Sequence, residues 1–150
     1  MMSQIESLDR RRMRLLEWYL VSCAFFLLLM VARFFFRAGG LNSQPIGMVV
    51  LAGLLVTLLL LAGSALGQAL LARRIRSDPS LEAALNNELI QSLEIQSWRA
   101  AYFATAGATL FFALVSFFYP VYDPVMIALT SIITGFGAYQ ATFYFKYRAS

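Results

Sequence analysis

Few side chains in this sequence could support chemistry, and their types limit what that chemistry could be. The chain has no His and a single Cys, Cys23. Zinc, haem and copper centres are built largely from clustered His and Cys ligands, and a Ser-His or Cys-His nucleophile needs an imidazole. The sequence also contains no Gly-rich phosphate loop and no converging pair of carboxylates. We therefore expect a protein without a cofactor or metal and without catalytic activity.

Two charged residues, Glu17 and Arg33, lie within an otherwise apolar segment and are the candidates for a transport function. A charge near the centre of a bilayer is costly and usually functional. The two residues would lie about 24 Å apart along a helix, near opposite faces of a hydrocarbon core about 30 Å thick. Arg33 can extend towards the interface, and Glu17 can pair with Arg14 one turn earlier. We expect interfacial roles for both, with a functional charge in a hydrated cavity as the alternative.

These residues belong to a chain of 150 residues whose composition is typical of a membrane protein. Hydrophobic residues make up 60% of the chain and charged residues 13%, and the mean hydropathy is +0.69. A soluble domain is usually about 45–50% apolar and about 25% charged. Because so little charge cannot cover a water-facing surface, the composition argues against a soluble globule, a disordered chain and a nucleic-acid-binding domain.

Four apolar segments reach the roughly 20 residues that a membrane-spanning helix needs. They cover residues 15–36, 46–72, 100–119 and 125–145, and the last three contain no charge. No run shows the alternating pattern of a membrane β-strand, and backbone groups in lipid must bond within their own segment. The sequence therefore predicts an all-α membrane protein, a single domain in which four transmembrane helices form an antiparallel bundle.

Lys and Arg residues are concentrated on one side of the predicted bundle. With four spans, all but Arg33 and Arg37 of the 12 basic residues lie in the two tails or in the connector 73–99. Because positive loops stay in the cytoplasm, both termini are predicted to be cytoplasmic. All the basic residues except Lys146 are Arg, which is typical of a GC-rich bacterial genome. We expect a multi-pass protein of the bacterial inner membrane.

Small residues on the second, third and fourth spans predict close helix packing, because small side chains let helices in lipid approach one another. The first span is instead rich in Phe and Leu. We therefore expect the last three spans to pack closely and the first to be more exposed to lipid. The small faces serve either packing within the chain or contact with another copy or subunit. The residues concerned are Gly63, Gly67, Ala100, Ala104, Ala108, Thr134, Gly135 and Ala138.

The connector 73–99 carries the pattern of an amphipathic helix on the cytoplasmic side. Asp78 and Pro79 are typical of a helix start, with Asp as the N-cap and Pro at the first helical position. Leucines then recur at every fourth position and would form one apolar stripe. This stripe either covers the chain's own bundle or the membrane surface, or it docks a larger partner. It consists of Leu81, Leu85, Leu89 and Leu93.

Taken together, these features favour a scaffold or accessory subunit of a larger membrane assembly. The protein would act through its small-residue helix faces and its amphipathic helix. Its partners would be the lipid bilayer and other membrane subunits, or further copies of itself, and not nucleic acid. The alternative is a small oligomeric transporter or channel that uses Glu17 and the hydroxyl groups of the fourth span.

Overall fold

The computed structural model describes residues 2–40, 45–79, 88–118 and 123–149, and in this part of the chain it contains long helices and no strand. The helices are α1 (Met2–Ala38), α2 (Pro45–Arg76), α3 (Glu88–Phe118) and α4 (Pro124–Ala149). Each is long and apolar enough to cross a membrane. The predictions of an all-α class and of a four-helix membrane bundle are thus confirmed, and the chain is a multi-pass membrane protein.

Two of the helices extend well beyond the predicted spans at the end of the bundle that carries the termini. α1 begins at Met2, so the Arg-rich tail continues the first span as one helix. α3 begins at Glu88, about three turns before the predicted span. Neither extension contains Gly or Pro, so nothing interrupts the hydrogen bonding of the helix where the sequence becomes polar. The bundle therefore projects beyond the apolar zone on this side.

The helices pack in the lateral order α2, α1, α4, α3. The main contacts join α1 to α2, α1 to α4, and α4 to α3. A cluster of buried side chains at the centre includes Cys23 and Phe26 of α1, Leu54 of α2 and Ile133 of α4. α1 and α4 are therefore the inner helices, and α2 and α3 are the outer ones.

The expectation that the first span is more exposed to lipid than the other three is wrong for the third span, although the first is still less buried than the second and the fourth. Phe26 is only 1% exposed. In α3 just 6% of the most apolar segment is buried, against 22–33% in the other three helices. Part of α1 is buried because its leucine side chains pack against glycines of α2. A Cβ atom on Gly53 would meet Leu29 at 3.1 Å, and one on Gly67 would meet Leu15 at 3.1 Å. Large side chains of α1 thus fill space that small residues of its neighbour leave open.

Asp123 joins α4 to α1 at the end of the bundle opposite to the termini. Its Oδ2 atom accepts a hydrogen bond from Arg37 Nη1 at 3.0 Å, and its Oδ1 atom accepts one from the backbone N–H of Met126 at 3.2 Å. The second bond is an N-cap, and Pro124 follows at the first helical position, where its missing N–H costs nothing. One carboxylate therefore both starts α4 and pairs with the end of α1.

Candidate functional site

Three helix ends converge at the side of the bundle that carries the termini. Leu16 of α1, Ile90 and Leu93 of α3, and Phe143 and Tyr144 of α4 form a cluster of buried side chains. Because α3 begins before the predicted span, its first turns can lie against both α1 and α4. This end of the protein is therefore a packed layer of three helices, and most of the charged residues surround it.

Glu17 lies at this layer and bonds to the last helix. Tyr144 Oη donates a hydrogen bond to Glu17 Oε1 at 2.8 Å, and Arg148 Nη1 donates one to Tyr144 Oη at 3.2 Å. Tyr144 is buried, while Glu17 is exposed on its other side. The expected pair with Arg14 is not among the ion pairs of the described residues. The packing of α4 directly against α1 explains the difference, because it brings a phenol to the carboxylate.

Further contacts connect the last turns of α4 to the Arg-rich start of α1. Tyr147 Oη donates a hydrogen bond to Asp9 Oδ1 at 2.9 Å. The Arg12 guanidinium lies 4.7 Å from the ring centroid of Phe143, within the range of a cation–π interaction. Lys146 Nζ donates to Gln96 Oε1 of α3. The C-terminal turns of α4 thus bind both neighbouring helices through polar or aromatic contacts.

The sequence contained part of the signal for these contacts. Phe143 and Tyr147 lie one turn apart on one helix, and so do Asp9 and Arg12 on another, so each set shares a helix face. Helical spacing shows which residues of one helix lie together. It does not show which other helix they face, so these contacts were missed.

Arg33 and Glu17 are not brought together. Arg33 is half-buried towards the opposite end of α1 and makes no ion pair with the described residues. The arginine one turn later, Arg37, is the one that pairs with Asp123, at 3.0 Å. The two charges proposed for transport therefore belong to separate ends of the bundle.

The hydroxyl groups of α4 are largely used within the helix itself. Thr130 Oγ1 donates to the carbonyl of Met126 and Thr134 Oγ1 to the carbonyl of Thr130, both at 2.7 Å. Thr57 in α2 and Thr109 in α3 donate to their own helices in the same way. A hydroxyl that bonds its own carbonyl is already satisfied. Ser131 of α4 differs, because its Oγ atom is buried and makes no hydrogen bond with the described residues, and it lines a groove together with Thr105 and Thr109 of α3.

A pair of amides connects α2 to α4 near the end that carries the termini. Gln140 Nε2 donates a hydrogen bond to Gln68 Oε1 at 2.8 Å. Gln140 is buried and Gln68 is half-buried. In lipid such an interhelical bond is worth about 0.6 kcal/mol, so it orients two helices without dominating their association.

Some of the predicted small residues lie against a neighbouring helix, and one of them faces open space. Gly67 lies against Leu15 of α1, and Gly135 lies against Thr105 and the Ala101 carbonyl of α3. A Cβ atom on Gly63 would meet nothing within 4 Å. The remaining predicted positions are half-buried, namely Ala100, Ala104, Ala108, Thr134 and Ala138.

Two glycines that contact neighbouring helices were missed. Gly53 of α2 lies against Leu29 of α1, and Gly137 of α4 lies against Cys23 of α1. Neither glycine belongs to the GxxxG pattern or to the stripes of small residues. The signal that could have found them is a single glycine that faces a side chain of the first helix. This signal can be used only when the order of the helices is already known.

The leucine stripe of the connector is only partly described. Leu93 is 5% exposed and packs in the three-helix layer of the protein itself. Leu81 and Leu85 lie outside the described residues, as does the side chain of Leu89. The predicted docking surface therefore depends on the first three leucines, since the fourth is used internally.

The surface of the described part includes two grooves beside α3. The larger, of about 650 Å³, lies on the outward face of α3, and the smaller, of about 300 Å³, lies between α3 and α4. Neither is lined by Glu17 or Arg33. The larger is lined by Ile95, Trp98, Arg99, Tyr102 and Phe103. The smaller is lined by Thr105, Thr109, Pro124, Ile127, Ala128, Ser131 and Ile132.

Comparisons of the chain with protein families, with curated proteins and with solved structures find no match.

Proposed function

We propose that this protein is a non-catalytic scaffold or accessory subunit of a larger assembly in the bacterial inner membrane. The observation that carries the proposal is the outward face of α3. The main contacts of this helix are with α4, and its first turns also reach α1. Large apolar side chains face outward along it, including Leu110, which is 62% exposed, and Phe117, which is 84% exposed. A helix held on one side leaves the other side for lipid or for a helix of another subunit.

Small residues on the two outer helices support the proposal. A Cβ atom on Gly107 of α3 or on Gly63 of α2 would meet nothing within 4 Å. Glycines on a membrane-facing surface allow another helix to approach closely. Because α2 and α3 lie at opposite ends of the helix row, the protein offers two such surfaces. That arrangement suits a subunit that sits between two neighbours.

The proposed orientation places both termini in the cytoplasm. Leu8, near the start of α1, packs with Leu71, near the end of α2. Leu16 of α1 packs with Tyr144, near the end of α4. The start of α1 and the end of α4 thus lie at the same end of the bundle, together with most of the Arg residues. The positive-inside rule then supports a cytoplasmic location for that end.

The proposal predicts that a specific partner co-purifies and that outward substitutions release it. The tagged protein is extracted from its native membrane in mild detergent, and the co-purified proteins are quantified by mass spectrometry. Gly107→Leu on α3, or Leu85→Glu in the connector, is expected to lower the amount of the partner at least about fivefold, equivalent to about 1 kcal/mol. Because Gly107 faces open space, the melting temperature should not change.

A matched control is Ala24→Leu, which enlarges an exposed small residue on the inner helix α1. It should leave the amount of partner unchanged. The proposal fails if no protein is enriched over a tag-only sample. It also fails if Gly107→Leu, Gly63→Leu and Leu85→Glu all retain the partner at the wild-type level.

A small transporter or channel is the second candidate, and the hydrogen-bonded chain of Glu17, Tyr144 and Arg148 is the observation in its favour. Glu17→Gln tests it cleanly, because the amide keeps the Oε1 acceptor for Tyr144 and removes only the charge. The scaffold proposal expects unchanged partner binding and no change in ion or solute flux in vesicles. A transporter that uses this carboxylate would lose its flux in the Gln variant.

A further inference from the structure

The larger groove combines one charged side chain with apolar and aromatic ones. Arg99 stands in the middle, directly before the predicted span, with Ile95 one turn nearer to the cytoplasmic layer and Phe103 one turn deeper. The ring of Trp98 packs against Tyr139 of α4 with 5.1 Å between the ring centroids. That contact fixes one wall of the groove. From Arg99 inwards, the groove thus leads from a cation at the interface to an aromatic surface at the depth of lipid chains.

Arg99 is available for a ligand in this groove. It is exposed, and it makes no ion pair with any described side chain. A guanidinium donates several hydrogen bonds in a planar fork that matches phosphate oxygens. Trp and Tyr beside it are the side chains that favour the headgroup level of a membrane.

We propose that this groove binds an anionic phospholipid. Arg99 would hold the headgroup phosphate, and Tyr102 and Phe103 would contact the first part of an acyl chain. The positive charge of Arg99 favours an anionic lipid over a zwitterionic one. A lipid with net negative charge gains the full attraction of Arg99, whereas a zwitterionic lipid brings a positive ammonium group to the same place. The preference depends on Arg99 itself rather than on the net charge around the groove, because Lys146 bonds Gln96 one turn before Arg99 and the Glu94 carboxylate lies near Tyr139.

Tryptophan fluorescence can report on this groove directly. The chain contains two Trp residues, so Trp18→Phe leaves Trp98 as the reporter. The full-length protein is reconstituted into vesicles of phosphatidylcholine with increasing brominated phosphatidylglycerol, and in parallel with brominated phosphatidylcholine. Quenching of Trp98 then gives the relative affinity for the two lipids. We expect about a fivefold preference for the anionic lipid, the contribution of one basic side chain at an anionic surface.

The controls separate the site from the general charge of the protein. Arg99→Gln should lower the preference to less than about twofold, while Arg99→Lys should retain most of it. Arg11→Gln removes an exposed cation from α1 and should leave the preference unchanged. Equal quenching by both lipids would overturn the proposal, and so would an unchanged preference in Arg99→Gln. Loss of the preference on addition of millimolar inorganic phosphate would show a phosphate site rather than a lipid site.

Discussion

Leu93→Glu is expected to destabilise the protein by at least about 3 kcal/mol, because it removes a core side chain and buries a carboxylate among apolar side chains. Leu93 is 5% exposed and packs with Leu16, Ile90 and Phe143. The loss should release the start of α3 from α1 and α4. Reversible unfolding in mixed detergent micelles, followed by circular dichroism, measures the change.

Ile95→Glu is the matched control for this prediction. Ile95 lies two positions further along the same helix and is 57% exposed, so the same substitution should cost less than about 1 kcal/mol. If instead Leu93→Glu keeps the wild-type stability and abolishes binding of a partner, Leu93 faces outward. The leucine stripe would then dock a partner along its whole length, as the sequence pattern alone suggests.

The number and type of the membrane helices could be predicted because one physical constraint determines them. Backbone groups in lipid must be satisfied within a helix, so a long apolar run is sufficient evidence for a span. The helix ends could not be placed in the same way. Hydropathy marks where lipid begins, whereas a helix continues until its hydrogen bonding is interrupted. α1 therefore reaches back to Met2 and α3 to Glu88, beyond the apolar zone.

The lateral order of the helices could not be predicted from small residues. The small residues of the last three spans led us to expect that these spans pack closely with one another, and hence an outer first span. In the structure a glycine of one helix can face a large side chain of another, as Gly53 faces Leu29 and Gly67 faces Leu15. A helix with few small residues can therefore contact two neighbours. Periodicity on a single helix contains no information about the residue that approaches from its neighbour.

The contacts at the candidate site were missed for the same reason, because the sequence does not show which helices are neighbours. Glu17 was predicted to be interfacial, and in the structure it lies at the packed layer of three helices at the end of the bundle that carries the termini. Its partner was expected within the same helix, because only local spacing is visible in a sequence. The phenol of Tyr144 lies more than a hundred residues later in the chain and reaches Glu17 only because α4 packs on α1. Arg37 and Asp123 are a second example of such a distant pair.

Gly137→Ala is expected to destabilise the protein by about 2 kcal/mol, the cost of overpacking a tight helix contact. The new Cβ atom would lie 2.6 Å from Cys23 Sγ, well inside van der Waals contact. The thiol has little room to move aside, because Cys23 is buried and its cluster includes Phe26, which is almost inaccessible. Unfolding in mixed micelles again provides the measurement.

A double-mutant cycle with Cys23→Ala shows whether this contact is the cause. Cys23→Ala removes the sulfur, and the remaining Cβ of residue 23 would lie 3.9 Å from the new methyl group, an ordinary contact distance. The double variant should therefore recover most of the stability that Gly137→Ala loses, with a coupling energy of about 1–2 kcal/mol. Gly107→Ala, whose Cβ atom meets nothing within 4 Å, should cost nothing, since Ala favours a helix over Gly. Strict additivity of the two substitutions would mean that α1 and α4 do not meet at this glycine. The central position of α1, on which the order of the whole helix row depends, would then be wrong.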